Sequence, residues 1–395
     1  MTSAVHRIES ALRGLRATRA EVDLDALSGN IRALKSRRPA TTTFMAVIKA
    51  NAYGHGSVPV ARAFLDAGAT HLAVATVGEG RRLRAHRITA PIMILGSIDP
   101  WEADEAVALN IDLAIATHDL YDAVLAAATE QGKQARIHVK VDTGLKRYGA
   151  PPEIATELAR RAMNDEAIQF VGLFTHFASS DEADPAFTLD QHAKLRKLQD
   201  AWAAEGIRPE DVHCCNSGAT VWSDFDGMVR PGMIMYGVPP SDDIPLLPSM
   251  RPALTLRSRV QRAFVVESGE SVGYNRTWFS DRRRQAALIP VGYADGYRRE
   301  LSSKGWVDIS GHRCDVLGRV SMDQIVVGIP DEADVTVGTE VIVMGGDGSS
   351  AAPTIEQVAR LVGTNPYEIL TGITARVPRV YRRGGAVVEI EDLLA

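Results

Sequence analysis

The stretch FMAVIKANAYGHGSVPVARAFLDAGATHLAVATV (44–77) reads as a strand, a glycine-bearing turn, a helix and a second strand. FMAVIKA (44–50) and HLAVATV (71–77) are apolar runs of strand length. VPVARAFLDAG (58–68) between them carries the helical pattern and closes on a glycine. The rhythm continues outward. Further strand-like runs are PIMILGS (91–97), DLAIATH (112–118), ARIHVKVDT (135–143), IQFVGLFTH (168–176), DVHCCNS (211–217) and MVRPGMIMYG (228–237). Helical patterns separate them: EADEAVALN, LYDAVLAAATEQG, EIATELARRAMND and LDQHAKLRKLQDAWAAEG, with LDALSGNIRALKSRR ahead of the first strand. Eight short strands interleaved with helices match a (β/α)8 TIM-type barrel in count and length. A doubly wound open sheet is the rival, but it has fewer strands and often opens on a glycine-rich turn. The segment after Lys49 is NAYGHG, not G-x-G-x-x-G.

At PPSDDIPLLPSMRP (239–252) prolines cluster and the alternation stops. The division is placed at 245/246, giving a barrel over 1–245 and a mainly β C-terminal domain over 246–395. That domain contains RVQRAFVVE, AALIPVGYA, WVDISGHRCDVLGRV, DQIVVGIP, EVIVMGG and GAVVEIEDLL, with one evident helix, TIEQVARLVG. A chain of 395 residues suits two such domains, and a hydrophobic share of 45% supplies their cores and argues against disorder. Lys and Arg number 44 against 49 Asp and Glu, a net charge of −5 without a long basic run, which disfavours a nucleic-acid partner. No apolar run approaches the ~18 residues of a membrane helix. MTSAVHRIESALRGLRA (1–17) lacks the apolar block of a secretory signal and reads as an amphipathic surface helix. The three cysteines, Cys214, Cys215 and Cys314, form no Cys-x-x-Cys pair, so no metal is expected and a reducing cytoplasm is. Cys214 and Cys215 read as small buried apolar side chains. RRLRAHR (81–87) and DRRRQ (281–285) read as solvated faces with local ion pairs.

Barrel chemistry sits at the C-terminal ends of strands. The polar residues that interrupt the apolar runs collect there: Lys49, Lys140 with Asp142, His176, Asn216 with Ser217, and Arg230. A lysine held in apolar surroundings loses basicity and can form a Schiff base, although a lone one more often snorkels to the rim. Ser217, Gly218 and the Arg230–Pro231–Gly232 turn could receive a phosphate or could be ordinary turns. Lys140 stands between valines on the inward phase of its strand, where an unpaired ammonium is expensive. It must be paired or chemically altered. Tyr274 and Tyr293 lie in glycine-rich turns of the second domain, where tyrosines usually just pack.

In order and spacing, AVIKANAYGHG, KVDTGLKRYG, THF, HCCNSGA, VRPGMIMYG, VGYN, PVGYADGYRRE, GRVSMDQ and NPYEILTGITARVPR resemble the motifs of alanine racemase. TRAEVDLDALSGNIRAL is similar to that family's opening segment, so the resemblance runs from about residue 16 to residue 383. The resemblance implies an isomerase that interconverts L- and D-alanine through an aldimine of pyridoxal 5'-phosphate. Lys49 would carry the cofactor and act as one base, and Tyr274 would be the other. Tyr53, Ser217, Gly232, Met233 and Tyr367 would contact the phosphate, with Asn216 alongside. Arg230 would face the pyridine nitrogen, with His176 behind it. Arg147 would contact the phenolic oxygen and the substrate carboxylate side. Lys140 is similar to a lysine that many members carbamylate. Tyr293, Met322 and Asp323 would bound the substrate carboxylate and the entry path. A cytoplasmic homodimer with shared active sites is implied, supplying D-alanine for peptidoglycan. Ser321, Asn275 and Met233 stand where cysteine, glycine and isoleucine are common in the family, which bears on substrate breadth. A racemase for serine or lysine, or a decarboxylase on a similar barrel, are the alternative readings.

Overall fold

The computed structural model describes residues 14–346 and 348–392. The helix expected over 1–17 therefore lies, up to residue 13, outside the described residues. The chain forms two compact units.

The first unit comprises 28–52 and 57–250. The first strand of the chain, β1 (Arg19–Asp23), is not part of it. After α1 (Leu24–Lys35), seven strands follow: β2 (Met45–Val47), β3 (His71–Val74), β4 (Ile92–Ile94), β5 (Asp112–Ile115), β6 (Ala135–Lys140), β7 (Ile168–Phe174) and β8 (Asp211–His213). They pair in chain order, each parallel to the next. The ring closes through single parallel bridges, Met228 to His213 and Val229 to Phe44. Met45 N–H donates to Val229 O at 2.9 Å and Val47 N–H to Pro231 O at 3.1 Å. The barrel read from the sequence is thus present.

MVRPGMIMYG, read as a ten-residue strand, contributes only those bridging residues. Pro231 has no N–H to give a ladder, and the chain turns into a 3-10 helix, Met233–Tyr236. The other strands are also shorter than read, because their C-terminal residues leave the sheet to form the mouth.

Between the strands lie α2 (Ser57–Asp66), α3 (Val77–Ala85), α4 (Ala103–Ala108), α5 (His118–Glu130), α6 (Pro152–Ala162) and α7 (Ala186–Ala204), and α8 (Ser217–Trp222) follows β8. In α6, Ala155, Leu158, Ala159 and Ala162 are buried at helical spacing, while Arg160 and Arg161 face outward to Glu205 and Asp122. Burial of the one leucine contributes roughly 1.5–3 kcal/mol; the exposed ion pairs add at most about 1 kcal/mol each. The sequence reading passed over α3 because two glycines and three arginines obscure its period. Thr76 caps it, accepting the Glu79 N–H at 3.2 Å. Within RRLRAHR, Arg81 pairs with Glu105 as expected, whereas Arg84 donates to the carbonyls of Leu109, Ile88, Ala90 and Asn110. That arginine ties loops together rather than facing water.

The second unit comprises 14–27, 53–56 and 251–392. Its strands are β9 (Leu254–Arg259), β10 (Arg262–Val266), β11 (Ser271–Val272), β12 (Trp278–Phe279), β13 (Arg284–Ile289), β14 (Trp306–Ile309), β15 (His312–Asp315), β16 (Ile325–Ile329), β17 (Glu340–Gly345), β18 (Arg379–Arg383) and β19 (Ala386–Glu391). Two helices, α9 (Ile355–Val362) and α10 (Pro366–Thr371), accompany them. The large sheet runs β15-β14-β17-β9-β1-β18-β19. β1 lies parallel to β18 and antiparallel to β9, near the middle. A division at 245/246 assigned residues 19–23 to the barrel, but their hydrogen bonds are made here. Ala20 and Val22 of β1 are fully buried. A second sheet, β10-β13-β16, packs Val266, Ala286 and Val326 with Val272, Leu317 and Trp278. The arginines of DRRRQ pair locally, with Asp331, Glu267 and Asp281. Among the described residues no helix is long and apolar enough to cross a membrane.

Candidate active site

Lys49 leaves β2 and enters an unusual turn. Ala50, Asn51 and Ala52 all take left-handed backbone angles, near φ 52–54° and ψ 48–52°, and Tyr53 follows with φ 49°. Left-handed conformation costs an L-residue roughly 1–2 kcal/mol, so the surroundings must hold this turn. Glu79, on α3, does so: its carboxylate accepts the N–H of Ala50 at 2.6 Å and of Ala75 at 2.8 Å. Asn51 Oδ1 accepts the Ser57 N–H at 2.8 Å. Strain concentrated beside one lysine points to function. Burial, reinforced by the Arg147 charge and opposed by Glu79, lowers the Lys49 pKa.

The remaining strand-end residues of the barrel converge with it. Lys140, the last residue of β6, is 3% exposed, and its Nζ has no hydrogen-bond partner. The ammonium lies 3.2 Å from the centroid of the Tyr148 ring and 5.1 Å from that of Phe174. Burial, then the charges of Arg147 and Arg230, push its pKa down to about 6. Arg147 is exposed at the rim, 5.2 Å from the Tyr148 ring. Asp142 is occupied with the backbone of its own turn, accepting from Gly144 and Lys146.

Arg230 is 2% exposed. One terminal nitrogen donates to His213 Nδ1 at 2.8 Å; the other donates to Thr175 O at 2.8 Å and Cys214 O at 3.2 Å. His176 Nδ1 is farther, at 3.4 Å. The histidine directly behind Arg230 is therefore His213, with His176 at its flank. A guanidinium only donates, so His213 must accept at Nδ1 and carry its proton on Nε2. That proton goes to His138 Nδ1 at 3.0 Å, leaving His138 Nε2 toward Asp112 at 3.5 Å. Arg136 closes the column on Asp112 at 2.9 Å. Arg230 is locked from below by buried groups whose donor directions all follow from its own. Its Nε, buried, has no partner.

Ser217 Oγ accepts the Gly232 N–H at 2.9 Å, joining the two loops read as a phosphate cradle. Gly218 is required behind it, since a Cβ there would stand 2.4 Å from Ser180 O. Asn216 caps α8 by accepting the Ala219 N–H, and its side chain also takes the Ser180 hydroxyl. Met233 is fully buried at the start of the 3-10 turn.

In the second unit Tyr53 and Tyr367 meet edge to face, ring centroids 5.9 Å apart. Gly273, with φ 79°, and Asn275, with φ 61°, shape a turn that leaves Tyr274 68% exposed. Tyr293 and Met322 are exposed side by side. The Tyr293 N–H donates to Ser321 O and the Ala294 N–H to Met322 O, at 3.1 and 3.0 Å. Asp323 pairs with Arg376 at 2.8 Å.

Glu79, Tyr148, His213, His138 and Asp112 were not read as site residues. The inward phase that singled out Lys140 holds equally for His138, two residues earlier, and was the available signal. For Glu79 there was none, since its role depends on the fold of the Lys49 turn.

Lys140 carries a testable consequence for stability. In a cofactor-free, carbon dioxide-free sample its folded pKa is about 6, whereas an unfolded lysine titrates near 10.4. Between these values the unfolded chain binds the additional proton, so stability rises with pH across the window and falls as acid is added. Denaturant melts from pH 6 to 10 should show that slope, and Lys140→Met should flatten it. An identical slope in the variant overturns the assignment.

The families described as "Alanine racemase, N-terminal domain" and "Alanine racemase, C-terminal domain" match residues 22–240 and 253–381. The alanine racemase of Symbiobacterium thermophilum is 42% identical over 373 residues, 94% of this chain and 98% of that one. The solved alanine racemase of Clostridium difficile 630 superposes with a TM-score of 0.92 at 34% identity, covering 96% and 99% of the two chains. A histidine racemase from Leuconostoc mesenteroides subsp. sake shares the architecture at 26% identity and a TM-score of 0.86, over 94% and 99%. Matched in both domains and along nearly its whole length, the chain belongs to the alanine racemase family of isomerases.

Proposed function

We propose that the chain interconverts L- and D-alanine with pyridoxal 5'-phosphate, using Lys49 and Tyr274 as opposed bases. The observation that carries this reading is the crowd of nitrogen donors at the barrel mouth. Lys49, Lys140, Arg147 and Arg230 influence one another there, and the acids felt by the two lysines are Glu79 and Asp142. Two buried nitrogens, Lys140 Nζ and Arg230 Nε, lack acceptors. A ligand with a phosphate, a phenolate and a ring nitrogen lone pair answers that donor set. Lys49 would hold it covalently, and Arg230 would donate to the ring nitrogen. The Ser217–Gly232 loops, with Met233 and Asn216 beneath, would receive the phosphate, as would Tyr53 and Tyr367.

When bound, the cofactor makes the substrate Cα–H acidic. The chain supplies the rest. Lys49, its basicity lowered by burial, moves a proton on one face of Cα. Tyr274 returns one on the other face, donated from the second unit of a partner chain in a homodimer. The exposure of Tyr274, Tyr293 and Met322 suits that shared arrangement. Arg147 orients the carboxylate, with Tyr293, Met322 and Asp323 lining the approach. Arg230, permanently charged, cannot protonate the ring nitrogen, which restrains side reactions. His213 holds it there, with His176 at its side. The neutral Lys140 amine is competent to add carbon dioxide, forming a carbamate and releasing one proton. The resulting anion would pair with Arg147 and give the buried Lys140 nitrogen's end of the pocket an acceptor for the arginine donors beside it. Membership of the family supports a cytoplasmic role in supplying D-alanine for peptidoglycan.

Chiral chromatography of the purified protein, loaded with cofactor and each L-amino acid in turn, tests the reading. Formation of D-alanine is expected; carbon dioxide release without an enantiomer would indicate a decarboxylase. The histidine racemase relative makes a wider substrate range, including serine or lysine, the second reading.

A further inference from the structure

Two thiols beneath the barrel mouth have no part in this chemistry. Cys214 and Cys215 follow β8, both buried, with their sulfurs 4.0 Å apart. Adjacent Cα atoms are about 3.8 Å apart across a trans peptide, less than the roughly 4.4 Å that a relaxed disulfide requires. The pair therefore resists closing on itself. Both sulfurs are nevertheless within reach of a single interposed atom: metal–thiolate bonds near the ~2.3 Å typical of zinc span such a gap at an open angle.

The charge environment favours an anion. Arg38 is 9% exposed, and its Nη2 lies 3.6 Å from Cys215 Sγ. Nη1 donates to Ser223 O, and Nε has no partner. Among the described residues no carboxylate pairs with it. A buried guanidinium favours a counter-charge beside it, and the Cys215 sulfur is in contact with this one.

Access is also built in. Cys214 lines a cavity of about 460 Å³ with His192, Arg196, Phe225 and Asp226. His192 and Phe225 are stacked at 3.7 Å. No group of three or more His, Cys, Asp or Glu able to hold a metal exists among the described residues. Zinc, which takes four ligands, is poorly served by two sulfurs alone. A soft monovalent ion is well served.

We propose that Cys214 and Cys215 form a two-sulfur site for Cu(I), reached through this cavity and charge-balanced by Arg38. Cu(I) displaces the protons of both thiols, releasing two H⁺ and leaving a bis-thiolate complex of charge −1 against Arg38. The same two residues support Arg230, whose N–H donates to Cys215 O at 2.8 Å and whose Nη2 donates to Cys214 O. A metal on the two sulfurs is therefore one residue's width from the carbonyls that hold Arg230, and its binding is expected to be felt there.

The test titrates reduced, cofactor-loaded protein anaerobically with Cu(I) in competition with a chromophoric copper chelator. One copper per chain is expected, with an ultraviolet sulfur-to-copper charge-transfer band. Cys214→Ser and Cys215→Ser should each abolish it, while Cys314→Ser should not. Arg38→Gln, which keeps a donor for Ser223 O, should weaken binding roughly a hundredfold. Failure to retain copper, or equal retention by the Cys214→Ser/Cys215→Ser double variant, overturns the site. Unchanged affinity in Arg38→Gln overturns the charge balance. Racemisation should slow in proportion to copper bound; copper held without slowing overturns the coupling to Arg230 and leaves the site standing.

Discussion

Lys49→Ala purifies without the visible absorbance of bound pyridoxal phosphate, and borohydride no longer fixes the cofactor to the chain. Both readouts are independent of turnover, and both follow from placing the lysine that precedes the left-handed turn in covalent charge of the cofactor. The glutamate-braced turn that follows would survive the change, so the protein is expected to stay folded. Racemisation should fall by about 10⁴-fold, the upper range for a positioned acid or base, with the covalent anchor lost as well. Retention of the absorbance at wild-type strength would remove Lys49 from its assigned place.

Tyr274→Phe is the second large effect and has the opposite signature. The cofactor stays bound and coloured, since the residues that would hold it are unchanged in the variant. Racemisation falls by about 10²–10⁴-fold. Exchange of the substrate hydrogen with solvent becomes unequal for the two enantiomers, because one face of Cα keeps its base and the other loses it. At 68% exposure in the single chain the side chain contributes little to the folding of its own unit, and the unequal exchange is a signature that a loss of stability would not produce. Near-normal rates in both directions would eliminate the phenol as a base.

The barrel was legible because its signal is periodic: apolar runs of strand length and helices closing on glycine repeat too often to be accidental. The limits of that reading are equally physical. MVRPGMIMYG has the composition of a strand but contains a proline where a ladder donor is needed. Residues 19–23 look like the start of the barrel from their position in the chain, yet their partners begin at residue 254. Pairing over such separations leaves no trace in local pattern. The site followed the same rule. Lysines and arginines at strand ends announced themselves against apolar neighbours. Glu79, working through backbone hydrogen bonds, and the histidines beneath Arg230, working through one another, did not.

The place of β1 in its sheet has an implication for biosynthesis. A ribosome delivers this strand early, but the flanking partners emerge only from residue 254 and residue 379 onward. Until then five residues with open backbone donors and acceptors on both sides must be kept from pairing with other nascent chains. A premature stop ahead of β18 would leave that edge permanently bare, so truncated products of this gene are expected to aggregate rather than persist as free barrels.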